Sequence, residues 1–266
     1  MEILLLVIPI AAISLYLRLR VFESTFAVLL GVPILAFPLG LLLPLNWLTY
    51  TISIVILMII AYYLQSERVN NDKLYSWKEE AEPVLIFLLV FMGCFYFCNK
   101  WPDFIAIGER LRDYAILSSV LKSPVDVQEP WLAGFPLNYY VYWYRFGNFL
   151  HEVLDMPVWR LYAALQSFTY ALYCSSIYFI FRRILKFGWT NAVFCMLLIG
   201  FGSNIEGIWS FFQNDTNWWG PSRVIKGAIN EFPVWSFLLG DLHPHYINLP
   251  AVAFFFVLLI PALNGT

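Results

Sequence analysis

Glu231, Asp241, His243 and His245 share one short segment, Asn230-Glu-Phe-Pro-Val-Trp-Ser-Phe-Leu-Leu-Gly-Asp-Leu-His-Pro-His245, which gathers carboxylate and imidazole chemistry in a chain that has little of either. Only 13% of the 266 residues are charged, and two of the three histidines stand here. Asp241, His243 and His245 offer ligands for part of a divalent metal site, and Glu231, Glu109 or Asp113 would have to close its shell. The residue types suit Mg, Mn or Zn. With Arg223 and Lys226, the same imidazoles suit a phosphate equally well, because charge-assisted bonds to phosphate oxygens are strong. Histidines that merely bond loop backbone are the structural alternative.

A second group lies upstream. From Asp103 to Lys122, Phe104, Ile107, Leu111, Tyr114 and Leu121 recur at helical spacing and predict an apolar stripe. Glu109 and Asp113, four residues apart, would stack on the opposite face, where paired carboxylates suit general-base work and Arg110 and Arg112 would keep them ionised. A solvated polar helix face has the same spacing. Between Glu129 and Gly147, prolines and glycines among aromatics predict a fixed, irregular loop. Trp131, Tyr139 and Tyr140 there can stack on sugar rings, with Asn138 supplying amide bonds to hydroxyls, or they can form an interfacial aromatic belt.

These groups must be positioned by something other than a water-soluble core. The chain is 61% hydrophobic, with a mean hydropathy of +0.69, and its apolar residues come in blocks long enough to cross a bilayer. Candidate spans fall near residues 3–17, 24–45, 46–65, 84–99, 158–181, 189–212 and 247–263. The expected fold is an all-α, polytopic membrane helix bundle of about seven transmembrane helices. Gly31, Pro33, Pro38 and Gly40 allow a kinked or re-entrant second span. Residues 1–20 read as an uncleaved anchor, since Glu2 replaces the basic cluster of a secretory signal. Net charge of −2 excludes the basic surface that nucleic acid requires. Cys94, Cys98, Cys174 and Cys195 all fall in predicted spans and read as small core residues. Glu206, inside the sixth span, is an intramembrane acid and hence a functional candidate expected to face the bundle interior or its outer cavity.

Short loops bearing Arg18 and Arg20, Arg68, Lys73 and Lys78, and Arg182, Arg183 and Lys186 are cytoplasmic by the positive-inside rule. That orientation puts the N-terminus outside and the C-terminus in the cytoplasm of a plasma-membrane, multi-pass protein. The connections 100–157 and 213–246 then both emerge externally, with short interfacial helices. The organisation is one membrane domain over 1–266, with N-terminal spans in 1–83 and a core in 84–263.

The strings Gly108-Glu-Arg-Leu-Arg-Asp113, Glu129-Pro-Trp-Leu-Ala-Gly134, Asn138-Tyr-Tyr140, Ser222-Arg-Val-Ile225, Glu231-Phe-Pro233 and Gly240-Asp-Leu-His-Pro-His245 resemble the YYY-type membrane proteins of bacteria and archaea, a family of unknown function. That family in turn is similar to glycosyltransferases of the GT-C fold. Val141, followed by Tyr142, stands where the resemblance would place a third tyrosine, and Glu129 where an aspartate is usual.

The resemblance implies a GT-C-like core that moves a sugar from a polyprenyl-phosphate donor to an acceptor on the external face. It implies Asp113 as general base, helped by Glu109, with Arg223, Lys226, His243 and His245 on the leaving phosphate. Trp131, Asn138, Tyr139, Tyr140, Glu231 and Glu206 would then line the substrate. The partners are membrane lipid, the lipid-linked sugar and an acceptor. The rival classes are a transporter, disfavoured by spans that carry almost no ionisable residue besides Glu206, and a non-catalytic subunit presenting its loops to a partner.

Overall fold

In the computed structural model, the structure describes residues 10–11, 21–65, 77–100, 109–202, 206, 209, 213 and 220–263. Ten α-helices follow in order among them: α1 (Val21–Gly40), α2 (Trp47–Gln65), α3 (Trp77–Lys100), α4 (Arg110–Lys122), α5 (Tyr142–Leu154), α6 (Val158–Phe179), α7 (Trp189–Leu197), α8 (Pro233–Leu239), α9 (Pro244–Ile247) and α10 (Leu249–Leu263). No strand occurs among the described residues, so the all-helical expectation holds. The candidate span at 3–17, and Arg18, Arg20, Arg68 and Lys73 on which orientation rests, lie outside the described residues.

Among the described residues, three stretches are long and apolar enough to cross a membrane by length and composition: Trp47–Leu64, Ala81–Lys100 and Pro244–Pro261. Ser24–Gly40 and Trp189–Gly202 are apolar but shorter. The fifth expected span, α6, has the length, yet it carries Gln166, Ser167, Thr169, Ser175 and Ser176, all buried. The hydroxyls of Ser167, Thr169 and Ser176 donate to carbonyls one turn back, at Ala163, Leu165 and Leu172. A helix can bury serine and threonine this way because their hydroxyls find a partner within the helix itself.

The chain divides into two compact units. The first comprises Met1–Glu82 and Arg112–Tyr162. Here α1 packs on α2. A methyl group on Gly31 would lie 3.0 Å from the end of the Leu57 side chain, so a larger residue there would require Leu57 to shift. α1 is helical through both Pro33 and Pro38. Asn46 caps α2 with its side-chain oxygen on the N–H groups of Leu48 and Thr49, and Glu152 of α5 accepts the Trp47 N–H at 3.2 Å. An anion at a helix N-terminus is stabilised by the unpaired N–H groups and the helix dipole. Tyr142 donates its hydroxyl to the Leu30 carbonyl, and Asn148 donates to the Tyr50 hydroxyl at 2.8 Å; these bonds tie α5 to α1 and α2.

The second unit comprises Pro83–Leu111 and Ala163–Thr266. Phe87, Phe91 and Phe95 of α3 stack along one face, and Phe168 of α6 meets the first two edge-on. Both α6 and α7 end in π-turns, Ile180–Ile184 and Leu198–Gly202. Gly200 lies at the second, where its carbonyl accepts the Tyr170 hydroxyl at 2.9 Å and an added methyl would approach Cys174 Sγ to 3.2 Å. Cys174 is buried and the other three cysteines are partly so, all as free thiols.

Candidate functional site

In the second unit the Asp241–His245 segment is held by the end of α8. Pro233 and Pro244 open α8 and α9 at their first turns, where a missing N–H costs nothing. Between them the chain turns at Gly240, whose φ of 74° is left-handed. The carbonyls left over at the α8 C-terminus are taken by side chains. Arg110 Nη2 donates to the Leu238 carbonyl at 2.9 Å, and Gln166 Nε2 donates to that of Phe237. A guanidinium there also complements the negative end of the helix. Gly240 is so closely covered that an added methyl would lie 2.7 Å from Arg110 Nε and 3.2 Å from Gln166 Nε2. Below the turn, Tyr246 is fully buried and donates to the Gln166 carbonyl at 2.7 Å.

Two carboxylate–imidazole pairs stand on this platform. Glu109 Oε2 lies 2.9 Å from His243 Nε2, and Glu231 Oε2 lies 2.5 Å from His245 Nε2. The rings of His243 and His245 meet edge to face at 5.6 Å between centroids. Ser236, buried, places its hydroxyl 3.2 Å from His245 Nε2 and 3.5 Å from Glu231. Serine and carboxylate thus share one ring nitrogen. A nucleophilic triad needs them on opposite nitrogens, so the cluster is an acid–base pair steadied by a hydroxyl. The His245 hydrogen bond is the largest of the influences holding the Glu231 carboxyl below the usual range, with the positive neighbours His243 and Arg223 adding to it. Arg223 is itself oriented by the Ser222 carbonyl and hydroxyl, at 2.9 and 2.8 Å.

Asp241 and His243, two of the three expected metal ligands, offer ligand atoms within 4.8 Å of each other. His245 gives its Nε2 to Glu231 instead. Lys226 is exposed. Glu206, expected to face the bundle interior or its outer cavity, is exposed and so is not enclosed in a bundle interior.

In the first unit, Asp113 lies in the first turn of α4 and is completely buried. Its face of the helix is continued by Ile116, Leu117 and Val120, all buried, while Leu111 points outward at 54% exposure. The expected polar face is therefore reversed. Helix α4 begins after Glu109, which sits in a turn, so the two carboxylates do not stack on one helix; Phe104 and Ile107 lie outside the described residues. Arg112 Nη2 is 3.4 Å from Asp113 Oδ1 and 3.2 Å from the Tyr139 hydroxyl, with the guanidinium over the Tyr139 ring. The Tyr144 phenol is held far above its usual range by burial first and by the Asp113 charge second, and it is bonded to that carboxylate. A buried aspartate is thus served by a guanidinium and a permanently protonated phenol.

The aromatic segment is non-helical from Ser123 to Val141, as expected, but its end from Tyr142 onward is α5. Trp131, Asn138 and Tyr140 are exposed on it. Gln166, Ser236 and Tyr144 were not singled out from sequence, and Arg110, expected to keep the carboxylates ionised, gives its Nη2 to the Leu238 carbonyl. Ser236 had a signal, since it is the one hydroxyl between Glu231 and His245.

No curated protein and no solved structure matches this chain. One family does, over residues 29–265, and it is described as uncharacterized membrane protein (DUF2298). With nearly the whole chain matched, the protein belongs to this family of membrane proteins.

Proposed function

We propose that the protein is a membrane transferase that moves a sugar from a polyprenyl-phosphate donor to an acceptor hydroxyl at the external face of the plasma membrane. The observation that carries this reading is the presence of two carboxylate–imidazole pairs, Glu109–His243 and Glu231–His245, on one platform of a membrane protein whose charged residues are otherwise few. Concentrated acid–base groups in such a chain are the mark of a reaction or a transport path.

In the reaction, the acceptor oxygen attacks the anomeric carbon and the bond from that carbon to the phosphate oxygen breaks. The electron pair leaves with the polyprenyl phosphate. Its charge falls to cationic groups of the second unit, with His243 and His245 able to donate protons and Arg223 a fixed positive charge. The acceptor proton goes to a carboxylate. Asp113 keeps the base role that the GT-C resemblance assigns it, and the Arg112 guanidinium 3.4 Å away favours its ionised form. Tyr139, Tyr140, Trp131 and Asn138 suit the sugar. Asp241 and His243 suit a divalent metal such as Mg or Mn, which would add charge at the phosphate.

The test is release of polyprenyl phosphate from a panel of polyprenyl-phosphate sugars by the purified protein in lipid, with and without chelator. Turnover that Asp113→Asn abolishes supports the reading. Absence of turnover with every donor, from folded protein, would turn attention to transport or to a subunit role.

A further inference from the structure

The loop Ser222–Asn230 turns its apolar residues outward. Val224, Ile225 and Ile229 are 49%, 60% and 67% exposed, and Lys226 is exposed among them. This conformation is built into the loop. The Asn230 N–H donates to the Ser222 carbonyl at 2.8 Å and closes the base, the Asn230 side-chain oxygen accepts the Ile225 N–H at 3.1 Å, and the Ala228 N–H returns to the Ile225 carbonyl at 3.1 Å. Gly227, at φ 80°, supplies the left-handed turn. The loop's own hydrogen bonds thus define the backbone on which these three β-branched side chains stand exposed.

The loop is also anchored at a definite place. Glu231, the next residue, is bonded to His245, and His245 is the second residue of the stretch Pro244–Pro261 that is long and apolar enough to cross a membrane. If that stretch spans, its first turn lies at a bilayer surface, and the base of the loop is tied to that turn. We propose that Ser222–Asn230 is a membrane-dipping loop, with Val224, Ile225 and Ile229 at the acyl boundary and Lys226 on the phosphates of anionic lipid. Apolar side chains with a long basic one among them are the composition that binds the headgroup layer, the apolar part entering it and the ammonium remaining at the phosphates. The inference does not depend on the transferase reading.

The test uses the full chain in nanodiscs of anionic phospholipid, with an environment-sensitive fluorophore on Ile225→Cys or, separately, Ile229→Cys, and the unsubstituted protein as labelling blank. The expected result is blue-shifted emission at both positions, quenching by spin-labelled acyl chains and loss of quenching by aqueous iodide. A label at Lys122→Cys provides an exposed reference. Iodide quenching at 225 and 229 equal to that reference would overturn the proposal. So would protection from both quenchers, which would mean that protein and not lipid covers the loop. A Lys226→Glu change added to the labelled protein is expected to shift the label back toward water, and the unshifted neighbour Ile229→Cys in the same background would contradict the role given to the lysine.

Discussion

Asp113 of the first unit and the two glutamates of the second are held in opposite ways. In the first, Asp113 is wholly buried, beside a guanidinium and a phenol, on a helix face otherwise made of Ile116, Leu117 and Val120. In the second, Glu109 is 64% exposed and Glu231 19%, and each is joined to an imidazole. A guanidinium beside a buried carboxylate favours its charged form, whereas a carboxylate joined to histidine has a partner that can itself give or take a proton. The first arrangement suits a base held ionised until it accepts a proton, the second an imidazole that meets charge developing on a phosphate. The difference can be broken residue by residue.

The largest effect is expected from Asp113→Asn. In the release assay it should cost on the order of 10²- to 10⁴-fold, the usual contribution of a general base, with the purified protein still folded. Retention of full turnover would reassign Asp113 to a structural role. Next comes Gly240→Ala, which meets both a left-handed backbone and a clash at 2.7 Å with Arg110. The backbone alone costs about 1–2 kcal/mol, so thermal unfolding of the variant should begin well below that of the wild type. A variant of equal stability would mean that the turn is not the rigid support described for His243.

Smaller still is the pH dependence of the Glu231–His245 pair. Glu231 has its carboxyl lowered by that bond, so its stabilisation is present above the ordinary glutamate range and is lost as pH falls through the depressed value. Acid unfolding should therefore begin at a higher pH in His245→Ala than in wild type, read by thermal scans at stepped pH. Coincident profiles would show that the pair carries no coupling. The smallest effect is expected from Tyr139→Phe, which removes the hydroxyl partner of Arg112 but keeps the ring beneath it, for a loss of about 0.5–1.5 kcal/mol.

Much of this architecture could be read from residue order. Apolar blocks located α1, α2, α3, α6, α7 and α10, and the prolines at 233 and 244 mark where α8 and α9 begin. The polar residues were harder. Four-residue spacing put Glu109 and Asp113 on one face of a helix, whereas α4 starts at Arg110, one residue after Glu109, and turns Asp113 inward with its apolar neighbours. Hydropathy made α6 a span without showing that its serines and threonines bond within the helix. The partner of Arg110, and Gln166 altogether, were illegible for a related reason. Their partners are backbone carbonyls 128 and 71 residues away, and no side-chain pattern encodes a carbonyl.

The central claim is that the imidazoles of the second unit serve the departing phosphate. It is tested most directly by polyprenyl-phosphate release from the protein in lipid, comparing wild type with His243→Ala, His245→Ala and the double variant. The account predicts turnover by the wild type, a fall of at least about 10²-fold in each single variant, and a double variant little worse than either, as groups acting as a unit behave. Undiminished release from a folded double variant would contradict it.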